Sequence, residues 1–83
     1  MDTDRVIKAL DEIYGPGKGL DIYMTIMPGI LADFDRMLSK ANAGERVREQ
    51  YNLEDGRGVI LVTGSKTKSG QQYIDLNIVE TAH

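Results

Sequence analysis

The stretch Leu20-Asp21-Ile22-Tyr23-Met24-Thr25-Ile26-Met27-Pro28-Gly29 fits two periods, and the one it obeys decides the fold. As a strand, it would turn Leu20, Ile22, Met24 and Ile26 to one side and Asp21, Tyr23, Thr25 and Met27 to the other, because side chains alternate across a pleated chain. As a helix, Leu20 and Met24 would open an apolar seam that continues through Met27, Leu31, Phe34, Leu38 and Ala41 in steps of four and three. Proline inside a helix costs about 3 kcal/mol and glycine about 1 kcal/mol relative to alanine. On that ground the sequence predicts a strand ending at Met27. A helix then starts at Pro28, where a missing N–H does no harm, and runs to about Ala43 with Gly44 as its stop. Its buried face would be Ile30, Leu31, Phe34, Leu38 and Ala41. The alternative is one long helix from Asp21 to Ala43, kinked at Pro28.

On the N-terminal side, Asp4 to Tyr14 places Val6, Ile7, Leu10, Ile13 and Tyr14 on one stripe at helical spacing, with Asp2 and Asp4 at the end where the helix dipole favours negative charge. Gly15-Pro16-Gly17-Lys18-Gly19 ends that helix, since glycine suits a left-handed cap and proline cannot continue the ladder. On the C-terminal side, Glu45 to Leu53 mixes charges with Val47, Tyr51 and Leu53 and reads as a short helix or irregular connector. Asp55-Gly56 and Gly58 mark a turn. Val59-Ile60-Leu61-Val62 is continuous and β-rich, as in a strand covered on both faces or central in its sheet. Gly64 to Gly70 is a polar loop, and Tyr73 to Val79 alternates, with Ile74, Leu76 and Ile78 inward and Tyr73, Asp75 and Asn77 outward. These two strands form an antiparallel hairpin.

The expected class is therefore α+β: helix, strand, helix and C-terminal β-hairpin, giving a three-stranded antiparallel sheet with two helices on one face. The alternative has two N-terminal helices, the second long, followed by the hairpin. The 83 residues read as one domain, with 80–83 as a frayed end. Hydrophobic residues are 41% and charged residues 28%, the balance of a folded globular chain. No apolar run approaches the roughly 20 residues that span a bilayer, and the acidic start lacks the form of a secretory signal, so the expected location is the cytoplasm. With no cysteine, disulfides and thiolate metal ligands are excluded. A core this small is often supplemented by self-association, which makes a homodimer a physical expectation.

The sequence offers little for catalysis. There is no Cys, and the sole His, His83, is the last residue. Asp33 and Asp35 are two apart on a helix and do not face each other. Glu54 and Asp55 lack the alternating ligand spacing of a calcium loop. Gly15 to Gly19 follows a helix and lacks the Gly-Lys-Ser/Thr ending of a phosphate loop. No enzyme activity, metal or cofactor is expected.

Two surfaces remain. If Leu20 to Met27 is a strand, Tyr23, Met27, Tyr73 and Asn77 share the outward face of the sheet, and Tyr and Met are residue types enriched in protein interfaces. This leads to the expectation of a non-enzymatic protein-interaction module, such as an adaptor or an inhibitor of host machinery carried by a phage or mobile element. The second surface is the hairpin tip, where Lys66 and Lys68 stand without acidic neighbours in a chain of net charge −3. Together with Arg46, Arg48 and Arg57 they suggest the alternative of a nucleic-acid-associated protein that contacts phosphates. The partner's identity is not written in the chain.

Overall fold

In the computed structural model, which describes residues 2–81, the elements follow in the order α1 (Thr3–Tyr14), α2 (Gly19–Ser39), β1 (Arg46–Asn52), β2 (Gly58–Lys66) and β3 (Gln72–Glu80). The α1 helix forms where the apolar stripe requires it. Asp2 caps its start by accepting a hydrogen bond from the Arg5 backbone N–H at 3.2 Å, and Val6 and Leu10 are buried. Gly15 terminates it at φ 117°, donating its N–H to Asp11 O at 2.8 Å, and Gly17 turns the chain at φ 82°.

Leu20 to Met27 is helical, not a strand. It forms the first part of α2, a helix of 21 residues that runs through Pro28. Three features make this tolerable. Pro28 and Gly29 lie on the exposed side, so the Met24 carbonyl that loses its intrahelical partner faces solvent. The opposite side buries Met27, Phe34 and Leu38 almost completely. Phe34 and Leu38 would be buried by a helix starting at Pro28 as well; continuation through the proline adds Met27, fully buried, and Ile22, Tyr23 and Ile26, partly buried. At up to about 1.5–3 kcal/mol per side chain these offset the roughly 4 kcal/mol that Pro and Gly cost together. Third, the seam rotates relative to the one read from spacing. Met27, Leu31, Phe34, Leu38 and Ala41 pack as expected, but Leu20 and Met24 remain 51% and 64% exposed, and Ile22, Tyr23 and Ile26 take their place against the core.

The joint between the helices needs a glycine at position 19. A Cβ there would collide with the backbone oxygen of Ile7 and the carboxylate of Asp11. In its absence the two helices approach closely, and the Gly19 N–H donates to Asp11 Oδ1 at 2.6 Å. An unpaired donor at the positive end of α2 is thereby satisfied by a carboxylate.

The α+β class holds, with two helices on one face of a three-stranded antiparallel sheet of order β1-β2-β3. The third strand is β1, in the segment read from sequence as helix or connector. It pairs from Arg46↔Ser65 to Asn52↔Val59, while β3 pairs from Gly58↔Glu80 to Lys66↔Gln72. Within β2, Gly58, Ile60, Val62 and Gly64 point to the helices and are buried. The strand is central, as expected, but only one of its faces is covered. Gly64 lies directly beneath Phe34: a Cβ at this position would sit 2.7 Å from Phe34 Cε2 and 2.9 Å from the Tyr73 carbonyl. At the far end Lys66 Nζ donates to Ser39 O at 3.1 Å, closing the negative end of α2 with a cation. Glu80 is paired in β3 and the Thr81 N–H donates to Arg57 O at 2.9 Å, so the expected fraying does not include these two; residues 82 and 83, with the His83 reading, lie outside the described residues.

Candidate interaction surface

The antiparallel registers define the face of the sheet turned away from the helices. Four rows cross it: Asn52, Val59 and Val79; Gln50, Leu61 and Asn77; Arg48, Thr63 and Asp75; and Arg46, Ser65 and Tyr73. No element among the described residues covers it. Leu61, Val79 and Tyr73 are 38%, 47% and 55% exposed. A shallow concavity of about 580 Å³ lies over the two central rows, bounded by Arg48, Gln50, Leu61, Thr63, Asp75 and Asn77. The charged groups of the face are sorted by strand, with Arg46 and Arg48 on β1 and Asp75 on β3. Arg5 reaches around the β3 edge, donating to Asp75 Oδ1 at 3.3 Å and to Leu76 O at 3.0 Å.

The four residues expected to form one binding face are divided by the helical course of residues 20–27. Tyr73 and Asn77 lie on the outer sheet face. Tyr23 is half-buried on α2, and Met27 is in the core at 1% exposure. The flanking-strand places expected for Tyr23 and Met27 belong to Arg46, Arg48, Gln50 and Asn52 of β1, and the exposed apolar residues of the open face beside Tyr73 are Leu61 on β2 and Val79 on β3. Val79 was a legible candidate, since it continues the outward alternation of Tyr73, Asp75 and Asn77. Leu61 was hidden in a continuous apolar run with no alternation to assign its side.

The five basic residues do not form one patch. Arg46 and Lys66 are at the start of β1 and the end of β2, and Lys68 is in the adjoining turn. Arg57 is just before the opposite end of β2, about 30 Å from Lys66 along a strand that rises about 3.3 Å per residue. There it pairs with Asp55 at 3.4 Å and lies over the Tyr14 ring at 5.2 Å. Lys66 is engaged by the end of α2.

The acidic residues considered as ligands have structural partners. Asp33 accepts hydrogen bonds from Tyr51 Oη at 2.7 Å and Arg36 at 2.9 Å, joining α2 to β1, whereas Asp35 is exposed. Asp55 accepts from the Arg57 N–H at 3.0 Å and from Tyr14 Oη at 3.1 Å, which fixes the β1–β2 turn against α1. Among the described residues no group of three or more His, Asp or Glu side chains is placed to hold a metal ion, and no helix is long and apolar enough to cross a membrane. A second groove, of about 370 Å³, separates α2 from the end of β1; Ile22, Ile26, Ile30 and Leu53 line it beneath Asp21 and Glu54.

The Tyr51–Asp33 contact gives a titration test. Burial, and next the hydrogen bond to Asp33, raise the Tyr51 phenol well above its ordinary value of 10.0. The hydrogen bond from Tyr51, followed by that from Arg36, lowers the Asp33 carboxyl below 3.8. A raised phenol contributes stability that is present below pH 10 and is lost as pH rises toward its folded value. A lowered carboxyl contributes stability that is present above about pH 4 and is lost on acidification through its folded value. Tyr51→Phe should lower the Tm by a few degrees at neutral pH and remove a late-ionising phenol from a tyrosinate absorbance titration. If the phenol that disappears is one ionising near pH 10, the contact is absent in solution.

No protein-family model, curated protein or solved structure matches the chain.

Proposed function

We propose that this protein is a non-enzymatic interaction module that docks another polypeptide on the outer face of its sheet. The observation that carries the reading is the uncovered face that exposes Leu61, Tyr73 and Val79 beside the half-buried Val59, with arginine on one edge strand and aspartate on the other. An apolar centre with a polar rim is the anatomy of a protein interface. Tyr73 supplies the kind of amphipathic anchor that dominates binding energy in such surfaces. The module would act as an adaptor or inhibitor, by covering its partner.

A photo-crosslinking residue at position 61 tests this, with the same residue at Lys8, exposed on α1, as the control. Position 61 is expected to yield a discrete adduct in extract of the native host, and Leu61→Asp with Tyr73→Ala in the same chain to abolish binding of the captured protein while leaving the Tm unchanged within a few degrees. Equal, diffuse labelling from both positions would reject the face as a docking surface. A second reading, contact with nucleic-acid phosphates, would be confined to Arg46, Arg48 and Lys68, because Lys66 is held by the end of α2 and Arg57 is at the other end of the sheet.

A further inference from the structure

We infer that the outer sheet face is self-complementary and that its occupant is a second copy of this chain, packed sheet to sheet about a two-fold axis parallel to the strands. The inference rests on reading that face as a docking surface and adds the partner and the geometry. An axis in this direction, lying between two such faces, places β2 over β2 and carries β1 of one copy across β3 of the other. Height along the strands is preserved, so each residue meets the partner's residue from its own row.

Three of the four rows match under this operation; in the fourth, at the end of the face, Asn52 meets the partner's Val79. Arg48 and Asp75 share a row through Thr63, so Arg48 faces the partner's Asp75 and Asp75 faces the partner's Arg48. Arg46 and Tyr73 share the row through Ser65, so each guanidinium meets a tyrosine ring, a favourable cation–π pairing. Gln50 meets the partner's Asn77. On the axis itself, Leu61 and Val59 meet their own counterparts and form the apolar centre.

The charge pairs are free to form. Among the described residues Arg48 has no ion-pair partner, and Asp75 is held through Oδ1 alone, in an exposed contact with Arg5. The alternative axis, running across the strands, lays β1 on β1 with the rows reversed and sets Arg48 against Gln50 and Arg46 against Asn52, with no opposite charges facing. Charge therefore selects the first operator. It is isologous, as a closed dimer requires.

Sedimentation equilibrium of the full chain should show a concentration-dependent rise from 9.2 kDa toward twice that mass, weakened by added salt. Arg48→Asp and Asp75→Arg should each weaken the dimer by roughly tenfold or more, since each sets like charges together on both sides of the interface. Mixing the two single variants should restore association, because one chain then carries a carboxylate at both positions and the other a guanidinium at both. A mass of 9.2 kDa at every concentration overturns the inference but leaves the docking reading intact if position 61 still captures a different protein. A dimer indifferent to both reversals, or variants that do not associate on mixing, overturns it as well.

Discussion

Phe34→Ala is expected to destabilise the domain by about 3–5 kcal/mol, the usual range for removing a fully buried phenylalanine. At roughly 0.05–0.15 kcal/mol per residue, 83 residues have about 4–12 kcal/mol in total, so the variant loses at least about a quarter of the stability and, in the lower part of that range, reaches its unfolding midpoint at room temperature. The size of the effect follows from where the ring sits. Phe34 is completely buried, midway along the part of α2 that crosses the sheet, and it rests on the backbone of Gly64 at the position a Cβ would occupy. No neighbour can collapse into the space from below, because Gly64 has no side chain to move.

The same contact predicts a coupling. Gly64→Ala places a methyl group against the Phe34 ring and also against the Tyr73 carbonyl, which is backbone and cannot yield cheaply. In a Phe34→Leu background the ring edge is gone and only the carbonyl contact remains, so alanine at position 64 should be less harmful there than in the native chain. Chemical denaturation of the two single variants and the double variant measures the difference. Additivity within about 0.5 kcal/mol, or a loss below about 1 kcal/mol for Phe34→Ala, would mean that the ring and Gly64 do not pack as described.

What could be read in the chain and what could not divide along the line between local and distant causes. The α1 stripe, its glycine stop and the alternation of Tyr73 to Val79 are short-range signals, and each appears in the structure with nearly the expected boundaries. The segment Arg46–Asn52 carries its signal elsewhere. Its three helix-side positions are Val47, Glu49 and Tyr51, and the glutamate breaks the alternation that would have marked a strand. An edge strand tolerates such a charge, since it makes one ladder only and an inward carboxylate discourages further pairing. It becomes a strand because β2 offers seven paired positions, a fact about residues 59–65 and not about its own composition.

The candidate surface inherited its error from one segment. Tyr73 and Asn77 were placed correctly because the strand that bears them is set by its own alternation. Tyr23 and Met27 fall elsewhere because their period is ambiguous over eight residues and is resolved as helical only by tertiary contacts, the burial of Met27 with Ile22 and Ile26 against the core and the seating of Gly19 on α1. The basic residues illustrate a related limit: Arg57 is close to Lys66 in sequence but precedes the opposite end of the strand that Lys66 closes, which spacing alone does not reveal.

Pro28 is where the energetic argument from sequence met the tertiary structure, and it provides the second large effect. Pro28→Ala is expected to stabilise the protein by about 2 kcal/mol: removal of an interior helix proline recovers about 3 kcal/mol, less the roughly 0.4–1 kcal/mol lost because alanine leaves the unfolded chain freer. For a chain of this size that corresponds to a rise in Tm of roughly 8–16 °C. The substitution removes no buried contact, since Pro28 is exposed, and it restores an N–H able to reach the Met24 carbonyl. The sign discriminates between the two courses of the chain. Were residues 20–27 a strand and Pro28 the first residue of a helix, proline would already be favoured there, and alanine would be neutral or mildly destabilising. A thermal melt showing no increase would therefore reject the continuous helix, while an increase of the stated size would show that the native chain retains a proline on the exposed side of α2 at the expense of its own stability.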